Sequence, residues 1–221
     1  MEFLEGRKDL RDVDVKNTWK LLLTEKEIQA TVKKCAKIIK KQFEGKDIVI
    51  ACILKGAVYF FTDLTRQLTI PYSCYFIEAS SYKNQQTQDE EVEILSKIVP
   101  EKFSGKHVIL IDELFDNGNT LTKVKLAISE KAKVPLDMIF TCAMFEKNKP
   151  TIYPKPDLFG ISVPDVWLVG YGLDDKQEKR GWKCLFACPK SADAEKSPDD
   201  QIFTDEKYYS DVMNQIHKKI A

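Results

Sequence analysis

The sequence has no long hydrophobic run. Nothing in its 221 residues approaches the roughly 18 unbroken apolar positions that a membrane-spanning helix needs, so a helical membrane protein is excluded. It also lacks a surplus of charge. Lys plus Arg and Asp plus Glu each number 34, which leaves no overall field to hold DNA, RNA or an anionic membrane. Any polyanionic ligand must be held locally. Neither G-x-G-x-x-G nor G-x-x-x-x-G-K-[ST] occurs, which argues against a dinucleotide-dependent oxidoreductase and a P-loop ATPase. Paired cysteine spacing is missing too: Cys35, Cys52, Cys74, Cys142, Cys184 and Cys188 are scattered through apolar runs. Only Cys184 and Cys188 lie close together, and no second pair or nearby His would complete a metal shell. Zinc and a disulfide scaffold are therefore not expected, and the cysteines read as reduced core residues. The N-terminus from Met1 to Lys8 is charged where a signal peptide would be apolar, so a soluble cytoplasmic protein is expected.

What is present suits one globular domain: 43% of residues are hydrophobic, and the length is too short for two full domains. Thr24-Glu25-Lys26-Glu27 reads as a capping box opening a helix whose periodic face is Ile28, Val32, Cys35, Ile38 and Ile39. Asp47 to Leu54 is a continuous apolar run of the kind found in a central parallel strand covered on both faces. Gly56 turns the chain into a helix from Ala57 to Leu68, and a second strand follows Pro71. Ser80 to about Glu91 carries almost no apolar side chain, which predicts a long mobile loop. Val92 and Ile94 resume a strand pattern, followed by the strand His107–Ile111, a helix from Leu121 to about Lys131 and a strand from Met138 to Phe145. This alternation predicts an α/β fold with a mostly parallel central sheet flanked by helices. Beyond Lys147, short strands at Leu158–Ile161, Val166–Val169 and Cys184–Ala187 break the pattern. They are expected to form a small hood subdomain with the N-terminal segment. The resulting division is a core over about 45–147, a hood over about 1–40 and 148–190, and a linker with a C-terminal helix over 191–221.

Chemistry concentrates where the strand Ile109-Leu110-Ile111 ends in Asp112-Glu113, followed by Leu114-Phe115 and the turn Asp116-Asn117-Gly118-Asn119-Thr120. Ligands of open α/β sheets sit at the carboxyl ends of strands. The turn offers consecutive backbone N–H groups and the Thr120 hydroxyl at a helix N-terminus, which suits a phosphate monoester without net positive charge. Phosphate alone would be better served by Lys than by three acids. Asp112 and Glu113 can accept hydrogen bonds from two vicinal sugar hydroxyls, while Asp116 can face the atom where a bond forms. The alternative is a solvated acidic loop that caps the helix through Asp116 or Asn117.

The segment resembles the phosphoribosyl pyrophosphate signature of type I phosphoribosyltransferases. Three further stretches in the family's order resemble its hypoxanthine-guanine branch: Leu54-Lys55-Gly56, Ser81-Tyr82, and Trp167-Leu168-Val169-Gly170-Tyr171-Gly172-Leu173-Asp174-Asp175. The resemblance implies Mg²⁺-dependent transfer of a phosphoribosyl group from phosphoribosyl pyrophosphate to N9 of guanine, hypoxanthine or xanthine. It implies that Lys55 and Gly56, with a cis peptide at either Leu54-Lys55 or Lys55-Gly56, and Arg180 bind pyrophosphate. The purine would stack on Trp167, be read by the Leu168 backbone and, with a one-residue shift of the match, receive a hydrogen bond from Lys147. Asp116 would be the general base, Ser81-Tyr82 would open a lid, and Asp174, Asp112 and Glu113 would be the carboxylates serving the metal. A homodimer or homotetramer is implied. The acid pair is Asp-Glu where the branch commonly has Glu-Asp, Asn117 and Asn119 replace small hydroxyl and Lys residues, and Trp167 replaces Phe or Tyr, which marks a divergent member. A non-catalytic regulator sensing the same sugar or a nucleotide is the rival reading, and retention of Asp116 with the lid dipeptide argues against it.

Overall fold

The computed structural model describes residues 18–83, 90–189 and 196–220. The start of the expected hood, the middle of the expected loop and the first part of the expected linker lie outside the described residues.

Strand β1 (Lys20–Leu23) leads into helix α1 (Glu25–Phe43). Thr24 Oγ1 accepts from Glu27 N at 3.4 Å, and Glu27 Oε2 accepts from Thr24 N at 2.8 Å, which completes the expected capping box. The helix buries Ile28, Val32, Cys35, Ile39 and Phe43. Ile38 is 46% exposed, because it stands about 100° of helix rotation from Ile39 and so leaves the buried stripe.

The crossover unit β2 (Ile48–Leu54), α2 (Val58–Gln67) and β3 (Ser73–Lys83) follows. Strand β4 (Glu90–Ile94) precedes β5 (His107–Phe115), α3 (Asn119–Ala132), β6 (Ile139–Lys147) and β7 (Leu158–Val163). These strands form one six-stranded sheet of order β4-β3-β2-β5-β6-β7. All its pairings are parallel except β3 with β4. Strand β2 sits inside it, and the residues from Ile48 to Ile53 are all buried, which is why it reads as an unbroken apolar run. One face packs on α1 and α2 through residues such as Ile39, Phe60 and Ile109. The other packs on α3 through Val49, Leu110 and Val124.

Strand β8 (Trp167–Val169) and β9 (Leu185–Cys188) join β1 in a separate antiparallel sheet of order β1-β9-β8. Helix α4 (Glu206–Ile220) closes the chain and is tied to β1 by the Tyr209 hydroxyl, which donates to Leu21 O at 2.8 Å.

Three expectations are corrected. The polar stretch does not begin as a loop: Ala79 to Lys83 pair with Glu90 to Ile94 in an antiparallel ladder, whose backbone hydrogen bonds do not depend on side-chain polarity. Leu158–Ile161 belongs to the main sheet and not to the hood, because β7 pairs in parallel with β6 and buries Ile161 to Val163. Cys74 is exposed, unlike the other five cysteines, because it lies on the solvent side of β3.

Candidate active site

The carboxyl ends of β2 and β5 open into a cavity of about 400 Å³. Its walls bring together five of the stretches singled out in the sequence: Lys55-Gly56, Asp112-Glu113, the turn from Asp116 to Gly118 with Thr120, Asp174 and Arg180. They come from three separate segments, because parallel β2 and β5 end side by side and the loop after β8 folds over them. Gly172, in that loop, stands against the carbonyl of Gly56.

Asp112 is 6% exposed inside β5, three residues before the strand ends at Phe115, and its Oδ1 accepts from Glu113 N at 2.9 Å. Burial pushes the Asp112 carboxyl above the ordinary carboxylate range. Glu113 is pushed up as well, by burial first and then by the charge of Asp112 and the hydrogen bond the two share, with Arg180 pulling the other way. Two adjacent acids in one buried place thus hold protons more firmly than solvated acids would, and a cation or hydroxyl-bearing ligand would relieve them.

The turn that follows starts α3 at Gly118, which has φ 92°. Asn119 N donates to Asn117 Oδ1 at 2.9 Å, so one amide of the turn is satisfied within it. Thr151 Oγ1 donates to Asn117 O, and Tyr153 Oη donates to Asn119 Oδ1 at 3.1 Å, so the loop after β6 braces the turn from outside. The capping alternative holds for Asn117 in this limited sense. It does not hold for Asp116, whose carboxylate turns away to lysines.

Lys147 Nζ lies 3.2 Å from Asp116 Oδ2 and 3.1 Å from Asp165 Oδ1. Lys149 Nζ is paired with Asp116 Oδ1 and lies 3.4 Å from Asp165 Oδ1. Two acids and two lysines therefore alternate in one cluster. Burial weakens the hold of Lys149 on its proton, but the hydrogen bond and charge of Asp116, with Asp165, outweigh it and raise the ammonium above the ordinary lysine range. Glu146, the residue on which the match falls when no shift is made, is engaged elsewhere: its carboxylate takes Lys155 Nζ at 2.5 Å and the Ser162 hydroxyl at 2.8 Å.

Across the cavity, Arg180 donates from Nη1 to Gly172 O at 2.8 Å and pairs through Nη2 with Asp174 Oδ1 at 2.5 Å. Asp174 Oδ2 accepts from Gln177 N at 2.8 Å. The cis peptide is Leu54–Lys55, the first of the two bonds left open by the sequence, where no residue type marks it.

Trp167, Leu168 and Lys147 do not line the cavity. Trp167 is 49% exposed on β8 and makes no ring contact among the described residues, whereas Leu168 is buried and pairs with Ala187. Ser81 and Tyr82 lie at the far end of β3, opposite Val92 and Glu91. Sequence reasoning missed Lys149, Asp165 and Gln177. The alternation Lys147-Asn148-Lys149 at the end of β6 was the available signal for the first. Asp165, behind Pro164, carried none.

Comparison with known proteins adds to this geometry. The phosphoribosyl transferase domain family matches residues 18–176. A hypoxanthine phosphoribosyltransferase of Escherichia coli is 30% identical over 169 residues, covering 75% of this chain and 93% of that one. A hypoxanthine-guanine phosphoribosyltransferase of Staphylococcus aureus is 29% identical over 157 residues, covering 71% of this chain and 86% of that one. Among solved structures, a hypoxanthine-guanine phosphoribosyltransferase from Bacillus anthracis superimposes with a TM-score of 0.66 at 29% identity, over 76% of this chain and 96% of that one.

Proposed function

Since the chain belongs to the phosphoribosyl transferase domain family and is a transferase of that fold, we propose that it acts in purine salvage, moving the 5-phosphoribosyl group of phosphoribosyl pyrophosphate to N9 of hypoxanthine or guanine, with xanthine a further candidate. The observation that carries this reading is the single cavity into which Lys55-Gly56, Asp112-Glu113, the turn from Asp116 to Gly118 with Thr120, Asp174 and Arg180 converge.

Each group has a task in that reaction. The amides and hydroxyl at the start of α3 hold the sugar 5′-phosphate. Asp112 and Glu113 accept hydrogen bonds from the two ribose hydroxyls, while the Lys55 and Gly56 backbone and the Arg180 guanidinium take the pyrophosphate. Trp167 stacks on the purine, the Leu168 backbone reads its edge, and Lys147 donates to the oxygen at position 6. As N9 bonds to C1′ and the bond from C1′ to the pyrophosphate oxygen breaks, Asp116 takes the proton at N7. For this Asp116 must give up one of its two lysines, and the arriving oxopurine oxygen offers Lys147 a replacement partner. A lid beginning at Ser81-Tyr82 would exclude water from the activated sugar.

Asp112, Glu113 and Asp174 form an oxygen-only set that suits Mg²⁺, a hard ion that keeps several waters and shares its shell with substrate phosphates. The raised proton affinity of the buried pair fits a place for a divalent charge, and Mg²⁺ there would neutralise charge on the departing pyrophosphate. Asp174 is engaged by Arg180 and would be released as Arg180 turns to pyrophosphate.

The test is direct: purified protein, phosphoribosyl pyrophosphate and Mg²⁺ are incubated with hypoxanthine, guanine and xanthine in turn, and nucleoside monophosphate and pyrophosphate are measured. Formation of neither product with any base would end this reading.

A further inference from the structure

The cluster that holds Asp116 is anchored from a part of the chain beyond the family match, which ends at residue 176. Asp165 N donates to Asp199 Oδ2 at 2.7 Å. Asp199 lies in a 3-10 turn, Pro198–Phe203, that leads into α4. The turn is itself well fixed. Ser197 N donates to Asp200 Oδ2 at 2.7 Å, Ser197 Oγ accepts from Asp199 N at 3.2 Å, and Ile202 is fully buried. The Tyr208 hydroxyl of α4 donates to the second Asp199 oxygen, and His217 Nε2 meets Glu27 Oε1 of α1 at 2.8 Å. A rigid path therefore runs from α4 through Asp199 to the backbone of Asp165, whose carboxylate shares both lysines with Asp116.

We propose that Asp199 is a positioning residue for the purine site: by fixing the Asp165 backbone, the C-terminal segment keeps the Asp165 carboxylate on Lys147 and Lys149, and so divides those two cations between Asp165 and Asp116. Asp199 touches neither base nor sugar. Its effect reaches the reaction because an amine that loses Asp165 as a partner falls wholly to Asp116, the group that must be open to N7. A charged hydrogen-bond partner is the strongest kind available to such a link. The turn borders a separate cavity of about 280 Å³, so shortening the Asp199 side chain removes a partner without breaking an apolar core. The role in turnover rests on the transferase reading above, whereas the link between Asp199 and the lysines does not.

The experiment reads both. Wild-type protein, Asp199→Ala and Asp199→Asn are treated with a limiting amine-acylating reagent, and the rate at each lysine is followed by mass spectrometry, with the exposed Lys37 and Lys133 as internal references. KM is measured separately for the purine and for phosphoribosyl pyrophosphate. Loss of a hydrogen bond to a charged group predicts acylation of Lys149 faster by about threefold or more in Asp199→Ala, and a purine KM raised about fivefold or more while the KM for phosphoribosyl pyrophosphate stays within about twofold. Asp199→Asn keeps an acceptor for the Asp165 amide and should restore both readouts. Unchanged Lys149 labelling, equal acceleration at every lysine, or both KM values moving together would overturn the proposal. Faster Lys149 labelling in a protein whose wild type makes no nucleotide would sink the transferase reading and leave the link standing.

Discussion

The Glu113 carboxylate stands where a side chain at residue 56 would have to go: a Cβ on Gly56 would lie 1.8 Å from Glu113 Oε1. The obstruction is the far end of a flexible side chain, so Gly56→Ala should displace Glu113 at small cost, within about 1 kcal/mol of wild-type stability, and weaken phosphoribosyl pyrophosphate binding. Gly172 is different. Its φ is 103°, and a Cβ there would lie 2.2 Å from the Gly56 backbone oxygen, which cannot rotate away. Gly172→Ala should therefore lose about 2 kcal/mol or more. Chemical denaturation of both variants checks the ranking, and equal stabilities would refute it.

Asp116→Asn should keep the fold and lower kcat at least about 10²-fold, the usual scale for a lost acid–base group. The carboxylate is nearly half exposed, and its lysines retain Asp165, so its removal leaves no buried cation unpaired. Near-normal turnover in a folded variant would remove Asp116 from the role of base.

The site's central strand and turn were legible in the sequence because their signals are local. An apolar run marks β5, two acids mark where that run stops although the strand itself continues to Phe115, and Gly118 with Thr120 marks the helix start. The Lys147, Lys149, Asp116 and Asp165 cluster was not legible, since it joins segments up to 49 positions apart and exists only once β6 lies beside β5. The C-terminal end of β3 was hidden for another reason. Ser80 to Lys83 are polar, and a ladder held by backbone hydrogen bonds leaves no hydrophobic pattern to read. Strand β7 was misassigned because the segment linking it to β6 contains no helix, so the usual spacing of a crossover unit is missing.

The Asp112-Glu113 pair gives stability a definite slope with pH. Both carboxyls are raised above their ordinary values of 3.8 and 4.5, so between those values and the folded ones the native state binds more protons than the unfolded chain. Their contribution is fully present below the ordinary values and is lost as pH rises through the folded ones. The stability of ligand-free wild type relative to Glu113→Gln should therefore fall as pH increases from about 4 upward. Denaturant midpoints across that range provide the measurement, and a constant difference between the two proteins would contradict it.

Trp167 offers a half-exposed aromatic face on β8 with no ring partner among the described residues. Such a face contributes little to folding, because the area removed from water is already small, and is open to a stacked base. Trp167→Ala should therefore cost about 1–3 kcal/mol of purine affinity, roughly 5- to 150-fold, while the melting temperature stays close to that of wild type. Trp167→Phe should recover most of the loss, since stacking needs a flat ring and not the indole N–H. Steady-state kinetics with the purine varied would decide the matter. A Trp167→Ala enzyme with an unchanged purine KM would place the base elsewhere, and Lys147 would then lose its reason to leave Asp116.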